Sequence, residues 1–343
     1  MSRSSSSQAF QLCFVLTAAL LAAAHPVSAV FAQSRHTSTH RSASRPAPAE
    51  AIKNVFWQPN QLVQGSPVFI TVELDRAPRR VTGTWIGKSI TFLPKPDDPK
   101  VWYALAGADL ETQPGPYDLK ISAVLPNGRI ASSTKPIGIG PGDFKTGSID
   151  VPENFVEPDP AGKRQIAADS VLKTRAYART APRPLWSGNF IKPVEGPSTA
   201  TFGESRILNE EKSSTHRGTD FPVKEGTSVV ASNTGTVVLA KELFYEGNCV
   251  ILDHGDHLYS IYMHLSRTDV RPGDKVEKGD KLGLSGATGR VTGPHMHFGV
   301  RWNGAYLNPV QLLALTLPGT ASTSAVSHTA SHSRSSPTRR HTR

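Results

Sequence analysis

Short apolar runs separated by turn residues fill residues 50–142 of the chain. In Tyr117–Val124, for example, apolar and polar residues alternate, which is typical of a strand with one buried face. Clusters of Pro, Gly, Asp and Asn divide the runs. About seven short strands at this spacing predict an immunoglobulin-like β-sandwich. The strands are expected at residues 67–74, 81–85, 89–93, 101–105, 117–124 and 129–139.

Three tryptophans, Trp57, Trp85 and Trp102, lie in this first region. They could form a stacking platform for sugars, but we favour packing in the core, since no catalytic arrangement surrounds them.

Residues 143–184 form a connector. Pro152, Pro158 and Pro160 predict an extended chain in its first part. Apolar residues recur over Lys163–Ala178 and predict a helix, which Thr180–Pro184 ends. Because the connector is long for a plain loop, we expect it to have structure or a role of its own.

The β pattern resumes over residues 185–317, and one strand there carries two histidines. This strand follows the turn residues Gly293 and Pro294 and continues to Trp302. Residues two apart on a strand point to the same face, so His295 and His297 should lie side by side. Such a pair suits a metal ligand with a catalytic neighbour. The alternative is two surface histidines on a half-exposed strand.

A second candidate segment lies upstream, at residues 215–222. Its His216 and Asp220 would share a helical face, but Gly218 and Pro222 argue against a helix. We predict a loop that leads into a short strand, with both side chains turned inward. Together with one histidine of the downstream pair, they would give zinc three ligands and leave the fourth position open, which is the catalytic pattern.

A third candidate residue, His264, lies in the predicted strand Leu258–Ser266. Strict alternation places Tyr259, Ile261 and Met263 on one face. It places Ser260, Tyr262 and His264 on the other face.

These three segments carry a resemblance to a known family. The motifs H-R-G-T-D-F, Y-M-H-L-S and G-P-H-M-H-F occur in this order at the three sites. They resemble the signatures of the lysostaphin/LytM-type zinc metallopeptidases, and the resemblance covers residues 185–317. It implies a β-rich peptidase domain that cleaves cross-links or stem peptides of peptidoglycan.

The resemblance also implies a role for each candidate residue. His216, Asp220 and His297 would bind one zinc ion, and His264 and His295 would form the catalytic pair beside it. No motif position departs from the family pattern at these five residues.

Charge and cysteine content restrict the partners and the compartment. The 343 residues have a formal net charge of +10 and an isoelectric point near 9.7. No nucleic-acid motif accompanies this charge, which also suits an anionic cell-wall polymer or a membrane surface. Of the two cysteines, Cys13 lies in the predicted leader, and Cys249 is expected to be a buried, apolar-like residue.

The two ends of the sequence have the composition of processed or disordered segments. Residues 1–32 are predicted to be a secretory signal peptide, the alternative being an uncleaved membrane anchor. Residues 33–49 are predicted to be a disordered linker, and residues 318–343 a basic disordered tail. The chain is therefore expected to be exported, without a transmembrane segment in its mature part.

Two classes of function fit this sequence. The first is an active zinc endopeptidase of peptidoglycan, and the second is a non-catalytic wall-binding or amidase-activating module on the same fold. The intact ligand set favours the enzyme. A further hypothesis is that the connector or the sandwich covers part of the cleft and restrains the enzyme. Oxygen ligands for the open zinc position could then come from Glu153, Asn154, Glu157, Asp159 or Asp169.

Overall fold

The computed structural model describes residues 51–210 and 212–319, most of which are in or between β-strands. The predicted signal peptide, the linker and nearly all of the basic tail lie outside these residues. The strands of the first two sheets are β1 (Ile52–Gln58), β2 (Leu62–Val63), β3 (Pro67–Leu74), β4 (Arg80–Trp85), β5 (Lys88–Thr91), β6 (Leu93–Lys95), β7 (Asp98–Gly107), β8 (Gly115–Val124) and β9 (Ile130–Gly140).

The remaining elements follow in chain order. They are β10 (Thr146–Ile149), a 3-10 helix (Glu153–Phe155), α1 (Pro160–Tyr177), β11 (Ser205–Leu208), β12 (Lys212–Thr215), β13 (Gly218–Phe221), β14 (Ser228–Val230), β15 (Gly235–Leu243), β16 (Gly247–Asp253), β17 (Leu258–Thr268), β18 (Lys275–Val276), β19 (Lys281–Ser285), β20 (Met296–Trp302), β21 (Ala305–Leu307) and α2 (Pro309–Ala314).

The first region contains two sheets whose inner side chains share one hydrophobic core. One sheet has the order β1-β3-β7-β6 and the other the order β2-β9-β8-β4-β5. The six predicted strands all overlap observed ones, whereas β1 and β2 were not predicted. The mostly β character is confirmed, and the immunoglobulin-like topology stays a prediction.

The three tryptophans of this region pack in or against the hydrophobic core, as the sequence analysis favoured over a sugar-stacking platform. Trp85 and Trp102 are buried in the core, and Trp57 packs against it. The buried indole of Trp85 donates to the carbonyl of Tyr117 at 3.3 Å, and that of Trp102 donates to the carbonyl of Pro99 at 3.1 Å.

The candidate site lies in a nine-stranded sheet with the central order β13-β20-β17-β16-β15-β18. Its middle strands are buried on both faces, which explains their nearly continuous apolar sequences. Cys249 on β16 is fully buried, as predicted. The antiparallel register of β13 and β20 places Asp220 directly opposite His297.

The connector is an ordered part of this structure. Its β10 pairs in parallel with β11, which in turn pairs with β12. The carboxylate of Asp159 caps α1 by accepting from the amide of Gly162 at 2.7 Å. The helix begins at Pro160, three residues before the predicted start. Proline suits the first helical position because the missing N–H has no helical partner there.

The last turn of α1 packs on the large sheet through Tyr177. Its ring meets the ring of Tyr259 at 5.1 Å, and the guanidinium of Arg301 lies 4.1 Å from its centroid. Leu172 and Ala176 join the same apolar cluster. The connector is therefore held by side-chain packing as well as by strand pairing.

Tyr177→Ala should lower the free energy of unfolding by ~2–4 kcal/mol, because it removes a large ring from this cluster. Val171→Ala is the matched control on the same helix, since Val171 is exposed. It should change stability by no more than ~0.5 kcal/mol. Urea unfolding of both variants measures the difference. Equal stabilities would show that α1 is not docked in solution.

The first region and the large sheet also contact each other directly. The rings of Tyr103 and Trp186 lie 6.2 Å apart, and the hydroxyl of Thr91 meets the carboxyl of Asp256 at 2.8 Å. Contacts place the described residues in one compact unit. Within that part of the chain, no helix combines the length and the apolar character needed to cross a membrane.

Candidate active site

Three predicted metal ligands meet at one end of β13 and β20. Nδ1 of His297 lies 2.8 Å from Oδ1 of Asp220, and Nε2 of His216 lies 3.1 Å from the same oxygen. The two histidine nitrogens are 2.9 Å apart. All three side chains are almost completely buried. The structure therefore brings together three atoms that can each offer a lone pair to one cation.

The chemistry of this donor set fits a metal ion. Nδ1 of His216 lies 3.0 Å from the carbonyl oxygen of Thr201, which can only accept a hydrogen bond. When Nδ1–H donates there, Nε2 keeps a lone pair facing the carboxylate of Asp220. Two lone pairs at this distance repel unless a cation lies between them. Two imidazoles and one carboxylate are ligands that suit zinc.

Burial and the close contacts among these side chains shift the pKa values of Asp220 and His297. Burial alone would raise the pKa of Asp220, but the adjacent imidazoles of His216 and His297 outweigh it and hold that pKa well below its usual range. Burial lowers the pKa of His297 to about 4. The carboxylate is thus ionised and the imidazole neutral near neutral pH, which are the forms that bind metals.

Arg206 on β11 supports Asp220 and lies close to His216. Its Nη2 lies 2.9 Å from Oδ2 of Asp220 and 3.1 Å from Nδ1 of His216, and its Nε donates to Glu204 at 2.9 Å. The guanidinium therefore binds the carboxylate oxygen of Asp220 that faces away from the donor triangle, which is formed by Nε2 of His216, Oδ1 of Asp220 and Nδ1 of His297. Arg206 lies outside every motif of the sequence, so it is not among the predicted site residues.

Gly218 makes room for the ring of His297. A Cβ atom at this position would overlap the imidazole of His297 and the carbonyl of Phe298. The glycine between His216 and Asp220 is thus required for close packing, because any side chain would displace the imidazole of His297.

His264 lies in a β-bulge of β17, where Met263 and His264 together oppose Cys249 of β16. Its φ of +63° is in the left-handed region, which is uncommon outside glycine. The bulge turns His264 to the side of Ile261 and Met263, with which it lines the cleft. The strict alternation predicted for this strand, with His264 beside Tyr262, is wrong at this residue.

His264 and His295 form a pair beside His216, Asp220 and His297. Their ring centroids are 4.8 Å apart, and Nε2 of His295 lies 3.7 Å from Oδ1 of Asp220. Nδ1 of His264 lies 2.9 Å from the carbonyl of Thr288, and Nδ1 of His295 lies 2.8 Å from that of Gly293. Donation to these carbonyls leaves Nε2 of each ring with a lone pair. Burial lowers the pKa of His264 to about 3.

Comparison with known proteins identifies this part of the chain. Residues 214–309 match the family model described as Peptidase family M23. They form a Peptidase M23 domain.

Two curated proteins are similar to part of this chain. The peptidoglycan DD-endopeptidase ShyA of Vibrio cholerae is 43% identical over 103 residues, which cover 30% of this chain and 23% of ShyA. The DD-carboxypeptidase/endopeptidase Mpg of Neisseria meningitidis is 38% identical over 103 residues, which cover 30% of this chain and 24% of Mpg. The chain thus matches less than a quarter of the length of either relative.

A solved structure resembles more of the chain. The crystal structure of a candidate peptidase M23 from Pseudomonas aeruginosa is 29% identical, with a TM-score of 0.55, and the match covers 74% of this chain and 95% of that chain. The similarity therefore extends beyond the M23 domain into the remaining described residues.

Four histidines of the M23 domain line a cleft of about 690 Å³: His216, His264, His295 and His297. Ile149, Phe155 and Lys173 of the connector line this cleft together with residues of the M23 domain. The connector residues considered as zinc ligands are not in its lining. Asp159 caps α1, and Asp169 accepts from the amide of Phe244 at 2.7 Å.

The other two histidines of the M23 domain are outside the site. His257 is exposed in the turn between β16 and β17, whereas His254 is fully buried. The ring of His254 contacts the carbonyl of Thr234 at 2.8 Å and the hydroxyl of Ser260 at 2.7 Å. His254 is thus a satisfied core residue as well as part of a turn.

Proposed function

We propose that this protein is an exported zinc-dependent endopeptidase that hydrolyses peptide bonds in the stem peptides or cross-links of peptidoglycan. The main support is the convergence of His216, Asp220 and His297 in a cleft that also holds His264 and His295. The M23 match and the two relatives named as DD-endopeptidases or carboxypeptidases support the substrate class.

In this proposal, Nε2 of His216, Oδ1 of Asp220 and Nδ1 of His297 hold the zinc ion. When bound, zinc polarises the scissile carbonyl and lowers the pKa of water toward ~7. Arg206 fixes the second oxygen of Asp220, and the carbonyl of Thr201 fixes the ring of His216.

His264 and His295 supply proton transfer and hydrogen bonding. Each ring is anchored through Nδ1, so its Nε2 can accept a proton from attacking water or, once protonated, donate to the developing oxyanion. Nε2 of His295 lies 3.7 Å from Oδ1 of Asp220, and the ring centroid of His264 lies 6.0 Å from that of His297, which supports a role for both histidines at one substrate carbonyl.

We also propose the domain organisation and the compartment. Residues 50–142 would form an immunoglobulin-like sandwich and residues 185–317 the peptidase domain, joined by the connector. The predicted signal sequence and the cell-wall substrates named for the relatives support action outside the cytoplasm. The basic net charge would favour contact with anionic wall polymers or membrane surfaces.

Digestion of purified peptidoglycan tests the function. The zinc-loaded protein should release fragments whose masses identify the bond that is cut, and a chelator should stop the release. The alternative, a non-catalytic wall-binding or amidase-activating module, predicts binding to the sacculus with no new fragments.

A kinetic comparison tests the hypothesis that the connector or the sandwich covers part of the cleft and restrains the enzyme. Because Ile149, Phe155 and Lys173 line the cleft, a fragment that begins near Leu185 should cleave soluble peptidoglycan fragments faster per folded molecule than the chain from residue 50. The folded fraction must be measured by circular dichroism, since the fragment lacks β10 and α1. Equal rates per folded molecule would make the connector a spacer.

A further inference from the structure

Four basic side chains line the cleft of the M23 domain among the described residues: Lys173, Arg206, Arg217 and Arg290. Three of them are paired with carboxylates of the protein. Lys173 contacts Glu246, Arg206 contacts Glu204 and Asp220, and Arg217 contacts Glu111 at 3.0 Å. No carboxylate within the described ranges forms such a contact with Arg290.

The guanidinium of Arg290 is half-buried and firmly placed. Its Nη2 donates to the hydroxyl of Ser214 at 3.2 Å, and its centre lies 4.8 Å from the ring centroid of Tyr245. The backbone amide of Arg290 donates to the carbonyl of Tyr245 at 2.9 Å. Phe155 of the connector lies 6.4 Å from the same tyrosine ring and buttresses it.

The backbone next to Arg290 is also fixed. Gly289 has a φ of +75°, and a Cβ there would overlap the backbone of Gly247 and the carbonyl of Tyr245. The turn before Arg290 therefore packs closely against the turn that leads into β16. The guanidinium of Arg290 is therefore held in one position on the cleft wall, so little side-chain entropy is lost when a ligand binds.

The surroundings of Arg290 favour an anion. Burial lowers the pKa of Arg290, and the nearby Arg206 adds like-charge repulsion. Glu246 offers some opposing charge, but its carboxylate is already committed to Lys173. A guanidinium has five N–H donors in a planar fork that matches a carboxylate. One side-chain hydrogen bond, to Ser214, uses only part of this capacity.

We propose that Arg290 is a specificity residue that binds a free carboxylate of the peptide substrate and thereby selects acidic stem peptides over amidated ones. This inference rests on the proposed function, because it assigns a substrate contact to the same cleft. It predicts a preference that the metal ligands and the histidine pair do not provide.

Two versions of one substrate test the proposal: cross-linked stem peptides with free carboxylates, and the same peptides converted to carboxamides. The otherwise unaltered protein should favour the free acid in kcat/KM by ~10–100-fold, the range of a charge-assisted hydrogen bond. Arg290→Gln should remove that preference by slowing only the free acid. Arg290→Lys should restore part of it, since lysine keeps the charge without the fork.

Arg217→Gln is the matched control on the same cleft. Arg217 is exposed and paired with the exposed Glu111, so its loss should change the rates for both peptides by the same factor. Zinc content and melting temperature of each variant show whether the site and the fold are intact.

Binding separates this proposal from the proposed function. Calorimetry with His264→Ala, alone and combined with Arg290→Gln, measures the affinity for both peptides while turnover is slowed by ~10²–10⁴-fold. A preference for the free acid that disappears with Arg290 supports the proposal even if no bond is ever cut, and only the peptidase function then fails. Equal affinities in His264→Ala, or a preference that survives Arg290→Gln, would overturn the role of Arg290.

Discussion

His297→Ala should lose bound zinc and peptidase activity together. The substitution removes Nδ1, one of three donor atoms lying within 3.1 Å of one another, and leaves two ligands for the ion. A metal ion contributes several kcal/mol to stabilising the transition state, so kcat/KM should fall by ~10³-fold or more. Metal analysis after dialysis and cleavage of peptidoglycan fragments measure the two losses.

His257→Ala is the matched control, because it also replaces a histidine by alanine but at an exposed turn. It should retain one zinc per chain and full activity. A full equivalent of tightly bound zinc in His297→Ala would contradict the ligand assignment. Restored activity on adding zinc to His297→Ala would instead mean weakened, but not abolished, binding.

His264→Ala and His295→Ala should each keep zinc and slow turnover by ~10²–10⁴-fold, the usual contribution of a general acid or base. Neither ring belongs to the donor triangle, and each is anchored to a backbone carbonyl through Nδ1. The double variant should be little slower than the slower single variant, because the two rings act on one proton-transfer step.

Kinetics at saturating substrate, together with zinc content, test the catalytic pair. Loss of zinc in either single variant would assign that histidine to the metal rather than to proton transfer. Turnover near that of the unaltered protein in either variant would remove that residue from the catalytic pair. If the rate loss in the double variant equalled the product of the two single losses, His264 and His295 would have independent roles.

The meeting of Asp220 and His297 follows from features that a sequence can show. Gly218 and Pro222 exclude a helix, and a strand at this place can pair with the strand that holds His297. The motif resemblance then points to the same residues that the register of β13 and β20 brings opposite each other. Local turn chemistry and the motifs together were sufficient here.

Arg206 and the face of His264 needed the three-dimensional structure. Arg206 reaches Asp220 because β10 and β12 flank β11, and such long-range pairing leaves no local pattern. A β-bulge likewise depends on the partner strand, so alternation within residues 258–266 could not reveal it. The start of α1 at Pro160 was missed for another reason, since proline was interpreted as a breaker rather than as a first helical residue.

The bulge at His264 also bears on how this strand can change in evolution. Deleting one residue between Tyr262 and Leu265 would restore regular pairing with β16 and remove a left-handed, non-glycine residue. The sheet alone would tolerate or even gain from that deletion. The same deletion would remove either Met263 or His264 from the cleft, which both side chains line, and would change the backbone that positions the imidazole. Strand length at this point is therefore constrained by chemistry, and insertions or deletions here should be rarer than conservative substitutions in the surrounding core.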